Sequence, residues 1–83
     1  MNETEKRLIE IYKGILKIEP ENEIDLNAEI SRELGFDSLG MVDFVINIED
    51  AFDIELDKYL AEIRKAPNLS EIVRIVENAK QSS

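Results

Sequence analysis

A small all-α bundle, with three main helices and one short one, is the fold class this sequence predicts, and three observations predict it. Apolar residues recur at helical intervals along three long stretches, while no segment shows the alternation of a half-buried strand, an internal repeat or a low-complexity tract. The pairs Asn2/Glu5 and Asn68/Glu71 have the spacing of a capping box. Pro20 and Pro67 fall where helical stretches should stop. With 83 residues the chain supports one compact domain, 1–83, built on a small hydrophobic core.

The first helix is expected to start between Asn2 and Thr4, to turn Leu8, Ile11, Tyr12, Ile15 and Leu16 towards the core, and to end before Pro20. Gly14 in its interior costs roughly 1 kcal/mol against alanine and is expected to allow close helix packing. From Glu19 to Leu34 the period weakens, and Ile24, Leu26 and Ile30 are left as anchors for an ordered connection with a short helical turn around Ala28 to Leu34. The second helix spans Ser38 to Phe52. At about 100° per residue, Met41, Phe44, Val45, Ile48 and Phe52 share its buried side. Leu39, Val42 and Ile46 form a second apolar stripe bordered by Asp43, Glu49 and Asp50, more than one core-facing stripe requires. Asp53 to Leu56 leads out, and Leu56, Tyr59, Leu60 and Ile63 suggest a short third helix that Pro67 breaks. Leu69, Ile72, Val73 and Val76 give the last helix its buried face, ending near Lys80.

Composition removes several function classes. Without cysteine there is no disulfide framework, no thiolate metal site and no side-chain thiol for thioester chemistry. Histidine is absent too, and Phe36 stands where the first glycine of a Gly-x-Ser-x-Gly elbow belongs, so a serine hydrolase is not expected. Glu49 and Asp50 are adjacent and point apart on a helix, which is poor geometry for shared acid–base work. The acidic stretch lacks the ligand alternation and central glycine of an EF-hand loop, so no metal site is expected. A net charge of −9 repels nucleic acid. No run approaches the roughly 20 apolar residues of a membrane span, and no signal peptide is evident, which makes a cytoplasmic location the expectation.

The chemistry concentrates at Ser38. It lies in Gly35-Phe36-Asp37-Ser38-Leu39-Gly40, where a glycine-containing loop runs into an acidic amphipathic helix. Asp37 is a good N-cap, so free backbone N–H groups and the positive end of the helix dipole would favour a phosphate-type group on the Ser38 oxygen. From Glu33 through Asp57 there is no Lys or Arg.

The stretch DSLGMVDFVINIEDAFDIEL resembles the prosthetic-group attachment site of the acyl carrier protein superfamily, and the size, acidity and order of elements agree over nearly the whole chain. The resemblance implies that Ser38 carries 4'-phosphopantetheine, delivered from coenzyme A by a phosphopantetheinyl transferase. It implies a monomeric carrier rather than an enzyme. Acyl or aminoacyl groups would ride as thioesters on the cofactor thiol to partner enzymes of fatty-acid or related lipid and secondary-metabolite biosynthesis. Asp37, Asp43, Glu49 and Asp50 would steer basic patches on those enzymes, and Leu39, Val42 and Ile46 would add apolar contact. Phe44, Val45, Ile48, Ile63 and Ile72 are candidates to line a space for sequestered cargo.

One position departs from the fatty-acid pattern: Gly40 follows Asp-Ser-Leu where an acid is usual, which removes one charge from the docking face. Asp-Ser-x-Gly and the Pro67-Asn68 entry to the last helix are similar to D-alanyl carrier proteins, so an aminoacyl cargo stays open beside an acyl one. A non-catalytic acidic adaptor with Ser38 unmodified is the reading from a different class.

Overall fold

The first capping box forms as its spacing predicts. Asn2 Oδ1 accepts the Glu5 N–H at 2.8 Å, and Glu5 Oε1 accepts the Asn2 N–H at 2.8 Å. From there α1 runs over Glu3–Leu16 and stops where Lys17 turns left-handed at φ 57°. The Ile18 N–H then reaches the Lys13 carbonyl at 2.9 Å, and Lys13 Nζ donates to the Pro20 carbonyl at 2.7 Å. This is the wrapped helix end that glycine usually supplies.

The computed structural model describes residues 2–30 and 38–82. In them α2 covers Ser38–Phe52, one turn of 3-10 helix at Asp57–Tyr59 leads directly into α3 at Leu60–Lys65, and α4 covers Leu69–Ser82. The all-α bundle with one short helix is therefore the observed architecture. Extended pairing among the described residues is a single bridge between Glu29 and Asn68.

That bridge belongs to a set of contacts that pins the connection after α1. The Ile30 N–H donates to the Pro67 carbonyl at 2.9 Å, and the Ser70 N–H to the Leu26 carbonyl at 2.9 Å. Ile30 is buried, with Ile24 and Leu26 packed partly against the core. A turn also forms just before the expected one. Asn27 N–H bonds Asp25 Oδ1 at 2.9 Å and Ala28 N–H the Asp25 carbonyl at 3.1 Å, an Asx-type turn over 25–28. The remainder of the predicted turn, 31–34, lies outside the described residues.

One core cluster joins the helices. Leu8 and Tyr12 from α1, Met41, Phe44, Val45 and Ile48 from α2, Ile63 from α3 and Ile72 and Val76 from α4 are all buried in it. Tyr12 and Phe44 meet edge to face with centroids 6.0 Å apart, an interaction that adds specificity to the α1–α2 contact. Two differences from the sequence reading have a geometric cause. Ile11, Ile15, Leu16 and Phe52 are only partly buried, because they sit at the edges of their helices' inner faces. Ile75 and Ala79 are buried as well, since α4 packs against both α1 and α3 and hides a wider arc than one stripe. Leu60 is exposed on α3. Gly14 is not a close-packing glycine: a Cβ built there meets nothing within 4 Å.

The N- and C-terminal helices are clipped together by a polar contact. Thr4 is 2% exposed, and Lys80 Nζ donates to its Oγ1 at 3.0 Å while lying 5.3 Å from the centroid of the Phe52 ring. Truncating Lys80 to methionine keeps the aliphatic stem but removes the donor and the cation. Lys80→Met should therefore destabilise the fold by about 1–2 kcal/mol, read from urea denaturation midpoints at unchanged slope.

Candidate functional site at the start of the second helix

Ser38 is the first residue of α2, where the backbone N–H groups of the opening turn have no acceptor within the helix. No carboxylate stands in that first turn. The start of α4 differs in carrying one. There Asn68 Oδ1 takes the Glu71 N–H at 3.0 Å, the Ser70 N–H is committed to Leu26, and Glu71 puts a carboxylate in the turn. Arg74 engages that carboxylate at 2.9 Å, and its hydrogen bond holds the Glu71 carboxyl below the usual range. An anion attached at Ser70 would meet the Glu71 carboxylate within its own turn, whereas residues 38–41 carry none; at either helix start the dipole contributes about 0.3–1 kcal/mol. The residues at the start of α2 thus fit a phosphodiester on Ser38. Asp37, the expected N-cap and steering acid, lies outside the described residues, as do Gly35 and Phe36.

The second apolar stripe is real surface. Leu39 is 78% exposed, Val42 49% and Ile46 55%, on a helix whose opposite side is core. Asp43 and Asp50 are exposed as well. At about 100° per residue, Leu39, Val42, Asp43, Ile46 and Asp50 fall within a sector of about 100°, so the structure brings five of the predicted docking residues to one face below Ser38. Gly40 is buried and off that strip.

Glu49 differs from its two acidic neighbours. The same rotation sets it about 80° from the centre of the strip, at the border with the core. It is half-buried, and its Oε2 accepts the Leu56 N–H at 2.8 Å while its backbone carbonyl accepts the Ile54 N–H at 3.2 Å. Both bonds depend on Asp53, which leaves α2 in the left-handed conformation at φ 55° and folds the chain back over the helix end. Glu49 thus staples the turn that buries Ile54 and Leu56. Nothing in its spacing announced this role, because an acceptor seven residues before its donor needs the reversal at Asp53.

Phe44, Val45, Ile48, Ile63 and Ile72, the residues considered for a cargo space, are packed together in the core cluster. Among the described residues no group of carboxylates is arranged to hold a metal ion, and no helix is long and apolar enough to cross a membrane.

Comparison with known proteins bears on this geometry. The family described as "Phosphopantetheine attachment site" matches residues 6–76. The chain is 30% identical over 78 residues to an acyl carrier protein of Cylindrotheca sp. (strain N1), with 94% of each chain covered. It is 39% identical over 62 residues to an acyl carrier protein of Buchnera aphidicola subsp. Schizaphis graminum (strain Sg), covering 75% of this chain and 77% of the relative. Against a mitochondrial acyl carrier protein of Saccharomyces cerevisiae (strain ATCC 204508 / S288c) it is 33% identical over 67 residues, covering 76% of this chain and 54% of the relative. No solved structure gives a significant match. The family match runs from α1 into α4, so it takes in the helical frame around Ser38 and not the attachment motif alone. The chain therefore belongs to the acyl carrier protein superfamily, whose members are phosphopantetheine-bearing carriers rather than enzymes.

Proposed function

We infer that residues 1–83 form a single carrier domain in which Ser38 is the attachment point for 4'-phosphopantetheine. The observation that carries this reading is a serine opening a helix whose first turn holds no carboxylate, above a strip of exposed apolar and acidic side chains. The bound group supplies a long flexible arm ending in a thiol, the function that a chain without cysteine cannot provide itself. The protein's own residues hold the anion at the helix start and present it to visiting enzymes. Tethering then raises the effective concentration of cargo at a docked enzyme without demanding tight binding.

The cargo is an acyl group, in agreement with the names of the relatives, and the setting is fatty-acid or related lipid or secondary-metabolite biosynthesis in the cytoplasm. Asp-Ser-x-Gly and the Pro67-Asn68 entry to α4 carry the similarity to D-alanyl carriers, for which an aminoacyl group would be the cargo. The chain acts as a monomer, its net charge of −9 opposing self-association and favouring basic partners. Incubating the apo protein with coenzyme A and a broad-specificity phosphopantetheinyl transferase tests the reading by intact mass. A gain of one phosphopantetheine is expected; no gain with several active transferases would return the chain to the class of acidic adaptors.

Docking follows from the strip. Asp43 and Asp50 attract basic patches, and Leu39, Val42 and Ile46 add apolar contact after encounter. Asp43→Lys should slow modification about 3–10-fold at low salt, with the difference shrinking as salt is added and thermal stability unchanged. Glu49→Lys should behave otherwise. It orphans the Leu56 N–H and should cost about 1–3 kcal/mol of stability, measured by chemical denaturation. Equal stability of the two variants would overturn the separate role given to Glu49.

A further inference from the structure

On the flank of α2 away from Glu49, an open groove of about 450 Å³ runs between the first two helices, lined by Ile11, Gly14, Ile15 and Lys17 on one side and Asp43 and Asn47 on the other. Ile11 and Ile15 are half-buried and give it an apolar floor. Gly14 is exposed, and the position of its missing Cβ is open space to 4 Å. The fold does not need a glycine there. Alanine would fit and would stabilise the helix by roughly 1 kcal/mol. A helix-weakening residue with no packing reason keeps the mouth of this groove clear.

We propose that this groove is part of the docking surface, and that its occupant is an apolar side chain projecting from the basic face of an enzyme that modifies the carrier. The inference rests on the carrier reading above and extends its partner surface from α2 onto α1. Two observations select this occupant. Asp43 lies both on the exposed strip of α2 and on the α2 rim of the groove, with Lys17 on the α1 side, so a cationic surface drawn to the strip arrives at the α2 edge of the groove. A second copy of this chain is disfavoured, because it would bring another net charge of −9 to the same place.

The test uses the apo protein and the coenzyme A-dependent transferase reaction, in which no acyl cargo is present to compete for the groove. Gly14→Leu places a side chain in open space and should fold normally, with a melting midpoint at or above that of the native chain, yet raise the KM for the carrier about fivefold or more, the effect of blocking one well-packed interface contact. Asn47→Trp fills the groove from the α2 side and should reproduce the rise, which keeps the test independent of α1. Normal modification of Gly14→Leu and Asn47→Trp at native KM overturns the proposal while leaving the carrier reading intact. Concentration-dependent self-association by sedimentation, abolished by Gly14→Leu with KM unchanged, overturns it in favour of a second copy. Loss of modification in the native chain itself would instead count against the carrier reading.

Discussion

Ser38→Ala should abolish the coenzyme A-dependent mass gain outright while leaving a folded helical protein. The effect is all or none because the acceptor is the hydroxyl oxygen, and neighbouring positions in α2 offer no other nucleophile: Leu39, Gly40 and Met41 complete the turn. Alanine is the best helix former, so the opening of α2 loses no propensity. Ser70 is the informative control, since it too stands in the first turn of a main helix and is exposed. Its surroundings are already filled. The Ser70 N–H is committed to Leu26 at 2.9 Å, the neighbouring amide is capped by Asn68, and the Glu71 carboxylate follows directly. Ser70→Ala should therefore accept phosphopantetheine at the native rate. Mass spectrometry of both variants, with circular dichroism to verify folding, decides the matter. A residual gain in Ser38→Ala would move the attachment point to another hydroxyl and remove the argument from the start of α2.

What the sequence disclosed and what it hid divide along the range of the interactions. Helices α1, α2 and α4 were legible because each repeats apolar residues at its own local period, and Asn2 caps α1 and Asn68 caps α4 through the amide three residues on. The exposed stripe of Leu39, Val42 and Ile46 was legible for the same reason: α2 has more apolar residues than its inner face can hold. Ile24, Leu26 and Ile30 could be recognised as anchors, but not their partners at Pro67 and Ser70, which only the folded chain brings near. Glu49 looked like one more surface acid because its staple to Leu56 exists only after Asp53 adopts φ 55°. Gly14 was misread from the opposite direction. Its cost to the helix was visible in the sequence, but whether a neighbour presses on it is a question of tertiary space, and none does. The wider burial of α4 likewise reflects its place against both α1 and α3, which no single-helix period encodes.

Phe44→Ala should bring the protein close to global unfolding at physiological temperature. Phe44 is fully buried at the junction of α1 and α2, and its ring meets Tyr12 at 6.0 Å between centroids. Truncating such a side chain removes its transfer free energy and leaves a cavity, together about 3–5 kcal/mol. Against that stands a total stability of roughly 4–12 kcal/mol for 83 residues, so the loss takes a large part of the whole and at the lower end nearly all of it. For a domain of this size the melting midpoint should fall on the order of 15–30 °C. Ile46→Ala supplies the comparison from the same helix two residues on. Ile46 is 55% exposed, so its truncation should change stability by no more than about 0.5 kcal/mol while weakening enzyme docking. The two substitutions thus separate the faces of α2: one carries the fold, the other meets the partner. Comparable midpoints for Phe44→Ala and Ile46→Ala would mean that the helix is not seated with Phe44 inward, and the placement of the docking strip would fall with it.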